Sequence, residues 1–350
     1  MTVDSIRLLG LATALPAHRL PQGVARAAAA ELFRDDFRDL ERRLTLFDHA
    51  GIDERALCQP PDWYLQPSSF AERNALFVRH AEDLLLDAGR RALADACLAP
   101  EDIDAVVTVC STGIATPSLE ARIADRLGLR ADCERTPVFG LGCVGGVLGL
   151  ARAAQIARGR AGGRVLLLAV ELCSLTLRRS DRTTANLVAC ALFGDGAAAA
   201  VVGPGELGPR LGPAGEHRWP DSLRVMGWDV EDDGLSVVFS IEIPGLARTR
   251  LRAATDAFLE RHELTLADID AFVCHPGGAK VVEALESAYE LPPEALADTR
   301  AVLRTHGNMS SVTVLFVLAA RLARAGFGRG LLTALGPGFT AGFVLLEDAP

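Results

Sequence analysis

Apolar and polar positions along the chain fall into short blocks that indicate their own elements. Ile6–Ala14 is a compact apolar run with Asp4 before it and Pro16 after it, the pattern of a first strand. From about Val24 to Phe47, charges interleave with Leu and Phe, which predicts one helix. A looser stretch rich in Pro, Gln and Ser (Gln59–Ser69) separates it from a second amphipathic helix reaching about Ala96. Short apolar strands come next at Ala105–Val109, Val165–Val170 and Ala197–Val202, with helices between them, one near Leu119–Leu127. Strand and helix in alternation imply an α/β architecture, a sheet covered by helices on both faces. Residues 203–222 are crowded with Gly and Pro and read as a seam, after which the alternation starts again. The expected division is into two halves, 1–215 and 216–350.

The halves are related to each other. Asp102-Ile103-Asp104-Ala105 leads into an apolar strand ending at Cys110. Asp268-Ile269-Asp270-Ala271, 166 positions later, leads into one ending at His275. A second match, offset by 165, pairs Gly142-Cys143 with Gly307-Asn308, Leu150 with Leu315, Ala154 with Ala319 and Gly163-Arg164 with Gly328-Arg329. Helices rich in Ala and Leu look alike anyway, but that does not account for two motifs at nearly one spacing. Duplication does. Halves packed around a pseudo-twofold axis would bring helix starts at Cys143 and Asn308 face to face, with His275 closing the strand beside them.

Composition removes several functions. The 350 residues are 49% hydrophobic and 23% charged, a globular balance with enough chain for two ordinary cores. A net charge of −9 and an aromatic content of 5% argue against nucleic acid as a partner. Lys280 is the sole lysine, so Schiff-base chemistry has no other place to occur. Eight dispersed cysteines with no C-x-x-C pair suit reduced cytoplasmic thiols better than a zinc ribbon or a disulfide framework, and no metal site is expected. No stretch reaches the roughly 18 apolar residues of a membrane span, and the start lacks the basic region of a signal peptide, so a soluble protein is expected.

Three residues carry candidate chemistry. Cys143 lies among glycines, in Gly140-Leu141-Gly142-Cys143-Val144-Gly145-Gly146, where the backbone can bend and a substrate can approach. A helix starting there would aim its positive end at the sulfur and favour thiolate, as at sites where a thiol falls from about 8.5 toward roughly 3.5–7.5. His275 comes after a strand and precedes Pro276-Gly277-Gly278, which keep the space above the ring open. Asn308, in His306-Gly307-Asn308-Met309-Ser310-Ser311, suits a helix cap. Beside an imidazole N–H, its amide would also hold a thioester oxygen as charge develops. His306 reads as structural. No carboxylate is placed to orient His275 as in a hydrolase triad. A Cys-His-Asn set of this kind suits carbon–carbon bond formation from thioesters.

The chain resembles the type III polyketide synthases, the chalcone and stilbene synthase family of the thiolase superfamily, over nearly its whole length. The resemblance rests on Gly142-Cys143-Val144-Gly145-Gly146, Ala191-Leu192-Phe193-Gly194-Asp195-Gly196-Ala197, His275-Pro276-Gly277-Gly278, Gly307-Asn308-Met309-Ser310-Ser311 and Gly336-Pro337-Gly338-Phe339. It implies a thiolase-like, five-layered αβαβα fold, a homodimer, and work on coenzyme A thioesters without metal or redox cofactor. It implies that Cys143 carries the acyl group and that His275 and Asn308 serve decarboxylation of malonyl-CoA. It also places Phe193 at the first aromatic gatekeeper position and Val237 where a second ring is expected. Cys173 and Thr176 then fall in the starter cavity, where core packing accounts for Cys173 equally well. Thr116, with Pro117, would reach toward the partner's cavity, and Gly336, Pro337 and Gly338 would border the chamber. For the coenzyme A mouth it offers Arg42 and Arg43, with Lys280 as a further phosphate contact. The implied reaction loads an acyl-CoA starter and extends it with malonyl-CoA, the missing ring at 237 suggesting an aliphatic starter and an alkylpyrone or alkylresorcinol product. A malonyl-only tetrahydroxynaphthalene synthase, an initiating ketoacyl-carrier-protein synthase and a non-catalytic thiolase-like scaffold stand as alternatives.

Overall fold

The computed structural model describes residues 5–324 and 326–348. The first half runs β1 (Ile6–Ala14), β2 (His18–Pro21), α1 (Gln22–Leu32), α2 (Leu40–Asp48), β3 (Glu54–Leu57), α3 (Phe70–Asp95), β4 (Ala105–Cys110), α4 (Leu119–Leu127) and β5 (Glu134–Phe139). It continues through α5 (Gly145–Arg158), β6 (Val165–Leu172), α6 (Thr184–Leu192) and β7 (Asp195–Pro204). The second half runs β8 (Arg210–Arg218), the hairpin β9 (Met226–Glu231) and β10 (Gly234–Phe239), α7 (Ile243–Glu260), β11 (Ala271–Cys274) and α8 (Ala279–Tyr289). It ends with α9 (Ala297–His306), α10 (Thr313–Leu322), β12 (Arg329–Gly336) and β13 (Thr340–Glu347).

Strand periodicity builds the layers. In β6, Val165, Leu167 and Ala169 face one core while Leu166, Leu168 and Val170 face another, because successive side chains point to opposite faces. The first core is central and is filled by α5 and α10; the second lies under α3 and α4. In the second half, Val344 and Leu346 of β13 join the central core, whereas Phe343 and Leu345 pack under α7 and α8. The order is therefore outer helices, sheet, paired central helices, sheet, outer helices: the αβαβα arrangement the resemblance implies. The strands form one continuous nine-stranded order, β11-β12-β13-β8-β1-β7-β6-β4-β5, whose two parts are joined between β8 and β1 by a single register pair, Arg7 with Arg210.

The repeated Asp-Ile-Asp motif acquires a physical reason. Asp102 accepts the backbone N–H of Ala99 at 2.9 Å, and Asp268 accepts that of Thr265 at 2.8 Å, each closing a short turn. Asp104 accepts Arg164 N–H at 2.9 Å, and Asp270 accepts Arg329 N–H at 2.8 Å. Each second aspartate thus sews the start of one strand to the start of its parallel neighbour. Ala105 pairs with Val165, and Ala271 with Gly330.

Two expectations change. The helix expected over 24–47 is two, α1 and α2, because the chain turns at Phe33–Asp39 to put Phe33 and Phe37 into a small core under α6. The seam at 203–222 contains β8, which pairs along β13, so the second part of the sheet begins before residue 216 and the turn between the parts is only 205–209. By contrast, α3 begins where the polar stretch ends, at a reciprocal Ser69–Glu72 capping box.

Candidate active site

Cys143 does not open a helix directly. It sits in a short 3₁₀ turn, Gly142–Val144, that runs into α5. Gly142 takes φ +50°, and a Cβ there would fall 2.7 Å from the Pro337 ring. A Cβ on Gly336 would meet Val144 at 2.6 Å. Gly336 and Pro337 therefore pack against the cysteine turn, and Gly338 offers its carbonyl to Ser222. Gly145 and Gly146 admit protein, not substrate: a Cβ on Gly146 would lie 2.2 Å from the Ser311 carbonyl. These glycines let the two matched turns meet at the pseudo-twofold axis.

Asn308 stands ahead of the second turn, Ser310–Val312, which leads into α10. Its backbone is clamped by the other half, N–H to Leu192 O at 2.7 Å and O from Gly194 N–H at 3.0 Å. Ser310, held at φ +48°, donates its N–H to Asn308 Oδ1 at 2.8 Å. That contact fixes which end of the amide is which. Nδ2 gives one hydrogen to Gly277 O at 3.2 Å, and the side chain also hydrogen-bonds the Cys143 sulfur.

Cys143, His275 and Asn308 line one small cavity, with Met226, Phe239 and Thr333 among its walls. His275 is 4% exposed, yet neither ring nitrogen has a partner among the described residues. Burial alone holds its imidazole down at about 3. Burial likewise pushes the Cys143 thiol up to about 12, against hydrogen bonds from Ser310 and Asn308, while the nearby Glu171 raises it further. Both shifts run toward the uncharged forms, opposite to the pull of a helix start on the thiol.

Glu171 is a site residue that the motifs do not reveal, although a lone acid inside the run Val165–Leu172 marks it. It is fully buried and accepts Ser111 N–H and Thr112 Oγ1–H at 2.9 Å and Ser311 Oγ–H at 2.7 Å. Burial raises its carboxyl to about 7. It ties the two halves together behind the cysteine.

A second cavity, of about 140 Å³, runs from Cys173, Thr176 and Phe193 to Val24 and Leu65, with Arg55 and the α1 residues Ala25, Ala28 and Ala29 along its wall. Phe193 packs on Trp228 and Phe239 with ring centroids 6.1 Å apart, so these rings stand between the two cavities. Val237 joins this cluster, and its cross-strand partner is Trp228. The ring missing at 237 is replaced from the neighbouring strand. Thr116 lies exposed in the loop after β4, apart from both cavities. Arg42 and Arg43 share Asp39, which they hold down at about 2, and Arg43 also reaches Thr184. Lys280 is exposed on the first turn of α8. Among the described residues there is no cluster of His, Cys, Asp and Glu fit to hold a metal, and no helix long and apolar enough to cross a membrane.

The same chain matches two family models end to end, the N-terminal domain of chalcone and stilbene synthases over residues 51–206 and their C-terminal domain over 213–350. It is 43% identical to a 1,3,6,8-tetrahydroxynaphthalene synthase of Streptomyces peucetius subsp. caesius, covering 96% of this chain and 91% of that one. An alpha-pyrone synthesis polyketide synthase-like protein of Mycobacterium tuberculosis is 29% identical, with 97% and 90% covered. The crystal structure of 1,3,6,8-tetrahydroxynaphthalene synthase from Streptomyces coelicolor A3(2) superposes with a TM-score of 0.94 at 30% identity, covering 98% of this chain and 99% of that one. With the five layers and the cavity already in place, these matches close the question of kinship: the chain belongs to the chalcone and stilbene synthase family and is a type III polyketide synthase, an acyltransferase.

Proposed function

We propose that the enzyme loads an acyl-CoA starter on Cys143 and extends it by repeated decarboxylative condensation with malonyl-CoA. The observation that carries this is an imidazole with both nitrogens unpartnered among the described residues, sharing a cavity with a thiol and the amide that bonds it, and with no carboxylate on the ring. His275 takes the Cys143 proton as sulfur attacks the starter thioester, and returns it to the departing coenzyme A thiolate. Malonyl-CoA then occupies the site. Its carboxylate leaves as carbon dioxide, and the electron pair moves into an enolate whose oxygen is held by Asn308 Nδ2–H and the imidazole N–H. The enolate carbon attacks the thioester carbon, the Cys143 sulfur leaves, and the chain on coenzyme A is two carbons longer.

The largely apolar wall of the second cavity favours an aliphatic starter. Its hydroxyls are already engaged: Tyr64 Oη with Ser174 Oγ at 2.6 Å, Ser174 with Asp195 at 2.5 Å, and Thr176 with Cys173 O at 2.7 Å, which leaves Arg55 and Asp62 as the charged residues on it. A wall of this kind suits an alkyl chain. An alkylpyrone or alkylresorcinol is the product in keeping with that wall. The likeness to tetrahydroxynaphthalene synthases favours a second reading, in which malonyl units alone fill the chamber. Mass spectrometry of products from malonyl-CoA alone and with starters of increasing length separates the two: no extension of any medium or long acyl-CoA would sink the aliphatic reading.

A second copy of the chain is the proposed partner. The edge strand β5 ends at the exposed Phe139, and Ile114 is exposed beside it. The cavity there is lined by Thr108 and Glu120, whose buried Oγ1 and Oε2 have no partner among the described residues. Thr116 lies in the same loop. Lys280 is proposed as a contact for coenzyme A phosphate, with Arg42 and Arg43 at the mouth.

A further inference from the structure

Arg55 on β3 is 1% exposed, and no carboxylate bonds it. A guanidinium buried in this way is costly unless its donors find acceptors. Both terminal nitrogens do, with Gln22 Oε1 at 2.9 Å, Ala191 O at 2.6 Å and Cys190 O at 2.8 Å. The last two are carbonyls at the C-terminal, negative end of α6, where a cation is favoured. Gln22 adds its own Nε2–H to Ala191 O at 3.1 Å, so the end of α6 is gripped from two sides.

The strip of chain immediately after α6 holds the catalytic amide. Leu192 O accepts Asn308 N–H at 2.7 Å and Gly194 N–H reaches Asn308 O at 3.0 Å. The two segments run so close that a Cβ on Gly194 would lie 2.4 Å from His306 O, and one on Gly307 would lie 2.7 Å from Leu192 O. Both hypothetical carbons also meet the Arg55 stem, at 3.2 Å and 3.6 Å. The stem is thus the floor under both strips, and the fork holds one of them in place.

Resting on the functional reading above, we propose that Arg55 is a positioning residue for Asn308, fixing the decarboxylating amide through the end of α6, its fork engaged there although its side chain borders the second cavity. Its contribution belongs first to the malonyl half-reaction and reaches the nucleophile only through the hydrogen bond between Asn308 and Cys143.

Arg55→Met keeps the stem and removes the fork; Arg55→Lys keeps the charge with a single donor point. For each, three quantities are measured: malonyl-CoA decarboxylation without starter, the KM for starter, and the rate and pH profile of Cys143 alkylation by iodoacetamide. Decarboxylation kcat is expected to fall about tenfold to a hundredfold in Arg55→Met and less in Arg55→Lys, the scale of a sub-ångström to one-ångström misplacement. Alkylation should change less than decarboxylation, and because Arg55 borders the second cavity, a rise in starter KM with decarboxylation unchanged would mark a starter contact and overturn the proposal. Equal losses in decarboxylation and alkylation, or no loss in either, would overturn the proposal. Should Arg55→Met not fold, Arg55→Lys carries the same comparison. A wild-type protein unable to decarboxylate malonyl-CoA would instead count against the functional reading and not against Arg55 alone.

Discussion

At the carboxyl ends of β4 and β6 the first half carries Ser111, Thr112 and Glu171, and these groups bond one another. By the offsets of the repeat, the matched positions in the second half are Gly277, Gly278 and Gly336, at the ends of β11 and β12. There the polar group is His275, matched to the apolar Val109, and its ring bonds nothing. The frames beneath are the same, down to the aspartates that join strand starts. At these strand ends one copy bonds its polar groups to one another and acts as a support. The other leaves the His275 ring without a partner, and a buried group without a partner is where a substrate can gain most.

The sharpest break of this contrast is at the reacting groups. Cys143→Ala should lower condensation at least about a thousandfold while malonyl-CoA decarboxylation persists. Product mass spectrometry and carbon dioxide release check this, and surviving condensation would remove Cys143 from its role. Next come the shared frames. Asp104→Ala and Asp270→Ala should each lower stability by about 1–3 kcal/mol, the range for a lost hydrogen bond to a charged group, in urea unfolding. A neutral result for only one of them would mean that the frames are not equivalent in energy.

Glu171 tests the support. Its carboxyl sits at about 7 in the fold against 4.5 ordinarily, so folding favours the protonated form. That stabilisation is complete below about pH 4.5 and is lost as pH rises through 7. Glu171→Gln, neutral throughout, should therefore match the wild type in thermal melting near pH 4.5 and exceed it at pH 8 by about 1–3 kcal/mol. A difference constant with pH would show that the carboxyl is not the titrating group. The smallest effect is expected at the mouth. Lys280→Ala should raise the KM for malonyl-CoA about twofold to fivefold, as for a lost exposed ion pair; an unchanged KM would remove Lys280 from the mouth.

Cys143, His275 and Asn308 were legible because duplication and glycine spacing are written along one dimension. The strands were legible too, since period-two burial needs only neighbours. The features that were not legible depend on distant segments meeting. Trp228 replaces the ring missing at 237 only because β9 and β10 pair. The α1 alanines become a cavity wall only when α1 lies over Cys173. Gly145 and Gly146 invited a reading of substrate access, whereas the close neighbour is Ser311. The thiol shows two opposed influences, only one of them legible: a helix start favours an acidic sulfur, whereas burial favours a neutral one.

The link between β7 and β8 is five residues, 205–209, with Leu207 81% exposed at its middle. Nothing in the reaction passes along it. Asn308 is fastened to Leu192 and Gly194, and Ser311 to Glu171, by bonds that cross between the halves in space. A protease nick at Leu207 would accordingly leave two fragments that stay together and keep turning over. The covalent tether serves to deliver both pieces at once, and the finished catalyst has no further use for it.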